Sequence, residues 1–234
     1  MKPIAIFRHA PGEGAGYLAE FLSRHGVPFT TICIDQGAAL PASAAPYRAL
    51  VFMGGPMSAN DDLPWIPQAL RLIREAQDAG LPILGHCLGG QLISKALGGQ
   101  VTRNPVPEIG WGMVQGIATD SGQRWLRHLP PAFEVFHWHS ETFTIPKGAT
   151  HLLTGPFCHH QGFAIGRTLA LQCHIEMTSA MIDKWTRSPE GQALVASPSI
   201  QTTPTIYERL HERLEALHRV ADILYGEWLG PACA

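Results

Sequence analysis

Cys87 stands within Gly85-His86-Cys87-Leu88-Gly89. Before it lies an apolar run, residues 81–84; after it Leu88, Leu92, Ile93, Ala96 and Leu97 recur at helical spacing. A side chain so placed sits on a sharp strand-to-helix turn, where flanking glycines permit a tight backbone approach. The helix N-terminus supplies unbonded N–H groups and the positive end of a dipole, which favour a thiolate. The chemistry is therefore nucleophilic attack by sulfur. The same pattern also suits a buried structural cysteine, so the rest of the chain must supply a base and a group to orient it.

Among twelve histidines, His174 has a telling neighbour. Residues 168–176 read TLALQCHIE, a strand running into a loop, with Glu176 two positions after His174. In an extended chain, residues i and i+2 share a face. Glu176 can then fix the imidazole, and His174 can take the thiol proton and return it to a leaving amine. A third part is a cradle for negative charge on oxygen. Gly54-Gly55-Pro56 directly follows the apolar run at residues 49–53. The N–H groups of Gly55 and Leu88 can together hold a developing oxyanion. No phosphate-binding loop signature is present.

Elements must position these parts. Residues 3–7, 29–34, 49–53 and 81–84 read as strands, and 17–25, 66–79 and 88–97 as helices. This alternation predicts βαβ units and a parallel sheet whose carboxyl edge gathers the site. Beyond residue 100 the rhythm changes. Residues 101–117 read as a short strand pair around Glu108-Ile109-Gly110-Trp111. Further strands follow at 133–143, 152–153, 162–165 and 168–173, then a helix at 177–187. Residues 188–204, rich in Ser, Pro and Thr, read as an exposed linker. Ile206, Leu210, Leu214, Leu217, Val220, Ile223, Leu224 and Trp228 then form one helical stripe, suited to packing on the same domain or to a partner. The expected division is a domain over 1–190 and a linker with an amphipathic helix over 191–234.

The chain has 234 residues, 45% hydrophobic and 15% charged, with a formal net charge of −2. That composition suits a sizeable core rather than disorder. Basic residues are few and scattered, which argues against a nucleic-acid surface. No signal peptide or membrane span is expected. Five irregularly spaced cysteines do not suggest a disulfide framework, and a reducing cytoplasm is the expected setting.

Taken together, Gly54-Gly55-Pro56, the G-x-C-L-G-x-Q run over 85–91 and His174-x-Glu176 resemble the class I (triad) glutamine amidotransferases, over residues 1 to about 190. GGPMSANDDLPW, EIGWGMV and FHWHSETF resemble the stand-alone members related to the GMP synthase amidotransferase domain and the gamma-glutamyl peptidases. The resemblance implies a flavodoxin-like, doubly wound, mostly parallel α/β sheet carrying a C-terminal helical extension. It implies Cys87 as nucleophile, His174 as base, Glu176 as its orienter, and Gly55 and Leu88 as the oxyanion donors. Gln91 and the backbone at His139 and Ser140 would hold the substrate's amino-acid end. No cofactor and no metal are implied. The partner is a small gamma-glutamyl substrate, with a separate synthetase as a further candidate to accept ammonia.

The chain departs from the family at four positions. Cys173 and Ile175 stand where phenylalanine and proline are usual, Ser140 where many relatives carry glycine, and His86 is bulkier than common choices. His86 is expected to pack rather than act as a second base. The alternatives are a peptidase of glutathione-like compounds and a non-catalytic metal-binding module, the latter using Cys158, His159 and His160 with Cys173 and His174. That spacing matches no zinc finger.

Overall fold

The computed structural model describes residues 1–230. Along the chain run β1 (Ile4–Arg8), α1 (Tyr17–Arg24), β2 (Phe29–Cys33), β3 (Ala49–Phe52), α2 (Trp65–Asp78), β4 (Ile83–His86), α3 (Leu88–Ala96), β5 (Val101–Gly116) and α4 (Gln123–Leu126). There follow β6 (Ala132–Phe143), β7 (Thr150–Thr154), β8 (Gly162–Ile165), β9 (Thr168–Leu171), α5 (Ser179–Thr186), α6 (Pro189–Gln192), α7 (Thr203–Tyr207) and α8 (Leu210–Leu229). The strands form one sheet in the order β2-β1-β3-β4-β9-β8-β7-β5-β6. Pairing is parallel from β2 through β9 and antiparallel from β9 to β6.

The sheet is doubly wound, as expected for a flavodoxin-like fold. Alternate residues of the apolar strands serve opposite faces. Ile4, Ile6, Val51 and Leu84 meet the layer that includes α1 and α8. Ala5, Phe7, Leu50, Phe52 and Ile83 meet α2 and α3. The order β3-β4-β9 matters most for the site. It sets the ends of three neighbouring parallel strands side by side, and the Gly54 turn, Cys87 and the His174 loop follow those ends.

Two expectations change. Residues 101–116 form one long strand rather than a strand pair; its partner is β6, with an irregular register between Arg103 and Glu108. Residues 188–204 are not simply an exposed linker. They contain α6, and the stretch around Ile200 docks on β5. There the Ile109 N–H donates to the Ser199 carbonyl and the Gln201 N–H to the Ile109 carbonyl. The Gln201 amide completes the dock by accepting from the Trp111 N–H at 2.8 Å and donating to the Trp111 carbonyl at 3.0 Å. A side-chain amide carries the same donor and acceptor as a peptide, so one glutamine does the work of a strand residue.

The C-terminal stripe is broken once, at Arg209, which takes a left-handed φ of 54° between α7 and α8. Leu214, Leu217, Val220, Ala221, Leu224, Tyr225 and Trp228 of α8 are buried in the core that α1 and the sheet share. A large apolar side chain so buried contributes about 1.5–3 kcal/mol, so this face is committed to its own chain. No helix among the described residues is long and apolar enough to cross a membrane.

Candidate active site

Cys87 ends the β4 turn with φ 50°, the only non-glycine residue besides Arg209 among those described to adopt a positive φ. Such a conformation is strained for an L-residue, and here it falls on the sharp strand-to-helix turn expected from the sequence. The turn is held by the Cys87 N–H donating to the Leu171 carbonyl at 2.8 Å and the Gln91 N–H to the Cys87 carbonyl at 2.9 Å. It also needs its glycines. A Cβ at Gly89 would collide with the Phe52 carbonyl, and one at Gly85 with the Gly89 carbonyl. The helix therefore packs backbone to backbone on the sheet, which brings its N-terminus under Cys87.

A cavity of about 710 Å³ opens at this edge. Cys87, His174, Gly55, Gln91, His139 and Ser140 all line it. The structure thus brings to one cavity the residues that the family resemblance assigned to catalysis and substrate binding, except Glu176 and Leu88; Glu176 contacts His174, and Leu88 opens the helix that follows Cys87.

His174 and Glu176 are both buried, and His174 Nδ1 lies 2.7 Å from Glu176 Oε1. With Nδ1 donating to the carboxylate, the lone pair is left on Nε2, which has no hydrogen-bond partner of good geometry among the described residues. Burial opposes charge on the ring, but Glu176 and the Cys87 thiol outweigh it and hold the His174 pKa well above 6.5. Burial likewise opposes charge on Glu176, yet His86 and His174 pull its carboxyl down to about 2. Proline is absent between the two residues, and tertiary bonds supply the stiffness. The His174 N–H donates to the Phe136 carbonyl at 2.8 Å, and the Tyr17 N–H to the Glu176 carbonyl at 2.9 Å. Trp185 covers the imidazole edge-on, with ring centroids 4.9 Å apart.

The proposed oxyanion donors keep their N–H groups free of acceptors among the described residues. The Gly54 turn is propped from behind by His9, whose Nδ1 donates to the Met53 carbonyl at 3.0 Å. Burial lowers the His9 pKa to about 4, so the ring is neutral and its donor is fixed. Gln91 lines the cavity, but its Nε2 is already turned to Gln172 Oε1 at 3.2 Å and to the Glu141 carbonyl at 3.4 Å. The ring of His139 also turns away. Its Nδ1 donates to the Glu141 carbonyl at 3.0 Å, and Nε2 faces Glu108 Oε2 at 3.0 Å. The backbone of this stretch stays at the cavity, with the Trp138 carbonyl 3.9 Å from the Cys87 sulfur.

Sequence reasoning missed Gln172, Glu13 and Tyr225, and gave His86 only a packing role. Gln172 aims Nε2 at the Cys87 sulfur from 3.6 Å. Glu13 reaches in from the loop after β1, and a Cβ on Gly54 would meet both its carboxylate and the His174 ring. Burial raises the Glu13 pKa to about 7, with Glu176 adding to it and His174 opposing. His86 is packed in the interior as expected, with polar neighbours. Its ring points away from Cys87, as alternation along β4 requires, and that side is where the Glu176 carboxylate lies, 3.6 Å from Nε2. Tyr225 meets the same nitrogen from α8 at 3.2 Å. Gln172, Glu13 and Tyr225 carry no local signal; each reaches the site through the fold.

The zinc grouping is not assembled. Cys158 pairs with Thr142 Oγ1 at 3.1 Å, His160 Nδ1 donates to the Phe143 carbonyl, and His174 is committed to Glu176. Among the described residues only Glu108, His137 and His139 bring three candidate ligand atoms within 4.8 Å of one another. There Glu108 Oε2 faces His139 and accepts from the Gln161 amide at 2.6 Å, while His137 Nδ1 and His139 Nε2 have no hydrogen-bond partner among the described residues. The three residues lie across the β5–β6 pair.

Comparison with known proteins places the family and the fold. The family profile described as glutamine amidotransferase class-I matches residues 16–185. A glutamine amidotransferase-like protein of Salmonella typhimurium, YfeJ, is 30% identical over 75% of this chain and 76% of its own. A GMP synthase of Aeropyrum pernix is 31% identical over 64% of this chain but only 28% of its own length. Among solved structures, a glutamine amidotransferase from Methylobacillus flagellatus superposes with a TM-score of 0.93 at 39% identity, covering 98% of this chain and 94% of that one.

Proposed function

Because the chain belongs to the class I glutamine amidotransferase family, we propose that it hydrolyses a gamma-glutamyl amide through a thioester on Cys87. The observation that carries the reading is the strained Cys87 turn opening on the same cavity as a His174 ring already held by Glu176. His174 Nε2 takes the thiol proton, and the sulfur attacks the side-chain carbonyl of the substrate. Negative charge develops on oxygen, where the Gly55 and Leu88 N–H groups receive it. The tetrahedral adduct collapses as His174 gives its proton to the leaving nitrogen, and ammonia or an amine departs. Water, deprotonated by His174, then attacks the thioester; glutamate leaves and the thiol is restored. Glu176 stays ionised throughout and stabilises the imidazolium. Gln91 and the backbone at His139 and Ser140 meet the amino-acid end of the substrate.

The leaving group divides two versions of this reading. Glutamine releases ammonia, which a separate synthetase can consume. A gamma-glutamyl conjugate releases an amine, and the roominess of the cavity supports this version. A reducing, cytoplasmic setting belongs to the same proposal, supported by the free thiols of Cys33, Cys87, Cys158 and Cys173. The test is a screen of purified protein against glutamine, glutathione and gamma-glutamyl amines, reading ammonia, amine and glutamate. Turnover of one of them, abolished in Cys87→Ala, is the expected result. No turnover of any, alone or with a candidate synthetase, overturns it.

A further inference from the structure

Glu176 has two oxygens and only one of them meets His174. The other, Oε2, is buried and has no hydrogen-bond partner among the described residues. It faces His86 Nε2 at 3.6 Å, and that nitrogen lies 3.2 Å from the Tyr225 hydroxyl. His86, Glu176 and Tyr225 are all fully buried, so water does not compete for these contacts. In that setting electrostatic contacts are strong and misplaced ones costly.

The tautomer of His86 follows from this. A proton on Nε2 presents a positive N–H to the carboxylate and to the tyrosine oxygen, and leaves the Tyr225 O–H without an acceptor among the described residues. A proton on Nδ1 would turn a lone pair toward a carboxylate and leave a buried N–H unpaired, since Nδ1 has no partner among the described residues. The first arrangement attracts Oε2 electrostatically in a buried site, which opposes a swing of the carboxylate away from His174.

The anchor of this chain is α8. Tyr225 lies on it, and His218, two turns earlier, donates from Nε2 to the Met177 carbonyl at 2.9 Å, just past Glu176. The His218 ring in turn stacks on Tyr17 at 3.7 Å, and the Tyr17 N–H donates to the Glu176 carbonyl. The C-terminal helix thus grips the acid's segment by backbone and by side chain.

We infer that His86 and Tyr225 are positioning residues for Glu176, through which α8 sets the orientation and proton affinity of His174. The inference rests on the triad reading above and adds to it that the C-terminal helix is part of the active-site scaffold. The ionisable groups around this line are His174, Glu13 and Cys173 toward the site and Tyr17 and Asp222 toward α8.

The test uses the full chain with Tyr225→Phe, which deletes one oxygen and keeps the ring, and His86→Gln as a second variant. General-base catalysis supplies on the order of 10²–10⁴-fold, so loosening its support is expected to cost about tenfold in kcat with KM little changed. A second readout needs no substrate: the rate of Cys87 alkylation by iodoacetamide against pH. A less firmly held Glu176 makes the imidazolium less stable, so the alkylation curve moves to higher pH in both variants. On a Glu176→Ala background neither change adds a further shift. A shifted curve in a protein that hydrolyses nothing would sink the proposed function and leave this inference standing. An unshifted curve in Tyr225→Phe, or in His86→Gln should the first not fold, overturns the inference whatever the hydrolysis shows.

Discussion

Gln172 Nε2 lies 3.6 Å from the Cys87 sulfur. The amide is not free to turn, because Gln172 Oε1 accepts from Gln91 Nε2 at 3.2 Å and the residue is fully buried. A donor fixed against a sulfur favours the thiolate over the thiol. Gln91, four residues past the nucleophile, thereby acts on it through Gln172 as well as standing at the cavity wall.

Gln172→Met keeps the volume and removes the donor. The expected outcome is slower alkylation of Cys87 at neutral pH and a drop in kcat of about tenfold, since one charge-assisted hydrogen bond is worth about 1.5–3 kcal/mol at most. Gln91→Met frees the Gln172 amide to turn and is expected to give a smaller loss in the same direction. Stopped-flow alkylation and steady-state hydrolysis check both; a Gln172→Met protein as reactive as wild type would remove this donor from the account.

Selective labelling separates Cys87 from the other thiols. Burial pushes the Cys158 thiol up to about 11 and raises Cys173 further, so neither offers much thiolate at neutral pH. Cys33 is partly exposed but has no histidine contact among those described; Cys233 lies outside the described residues. A glutamine-mimicking alkylator at substoichiometric dose is expected to mark Cys87 first by peptide mapping. Equal labelling of Cys33 or Cys158 would speak against an activated Cys87.

Glu176 and Glu13 pull stability in opposite directions with pH. Glu176 falls from 4.5 to about 2 on folding, so it contributes stability above pH 4.5 that is lost as pH falls toward 2. Glu13 rises from 4.5 to about 7, so ionising it costs stability progressively between those values and the cost persists above 7. Glu13→Gln is therefore expected to raise the melting temperature at pH 8 relative to wild type and to leave it nearly unchanged at pH 4. Glu176→Gln is expected to lower it at pH 7 and to flatten its fall in acid. Melts across pH 3–8 decide; an unchanged Glu13→Gln protein at pH 8 would show that carboxyl to be solvated.

Two glycines give opposite outcomes on substitution. Gly89→Ala drives a Cβ into the Phe52 backbone, which cannot yield without moving β3, so a loss of about 2–4 kcal/mol is expected, with Cys87 reactivity lost alongside. Gly226→Ala lies in α8 with no atom within 4 Å of the new Cβ, and helix propensity predicts a gain of about 0.5–1 kcal/mol. Denaturant midpoints at constant slope measure both.

The sequence by itself determined what depends on neighbours along the chain. The Gly85-His86-Cys87-Leu88-Gly89 run fixes a strained elbow because only residues without a Cβ at 85 and 89 let the helix start so close to the sheet. His174 and Glu176 meet because alternate residues of an extended segment share a face. The C-terminal stripe was legible because 3.6-residue spacing states which side must be buried. The parallel half of the sheet followed from the alternation of strand and helix up to residue 99. Only the tertiary structure decided the rest. Whether residues 101–116 make one strand or two depends on the partner strand β6, and whether residues 188–204 hang free depends on Trp111, 90 positions from the Gln201 amide that holds it. Tyr225 reaches His86 across 139 positions and Gln172 reaches Cys87 across 85. Such contacts are set by strand order and helix packing, and residue spacing along the chain carries no record of either.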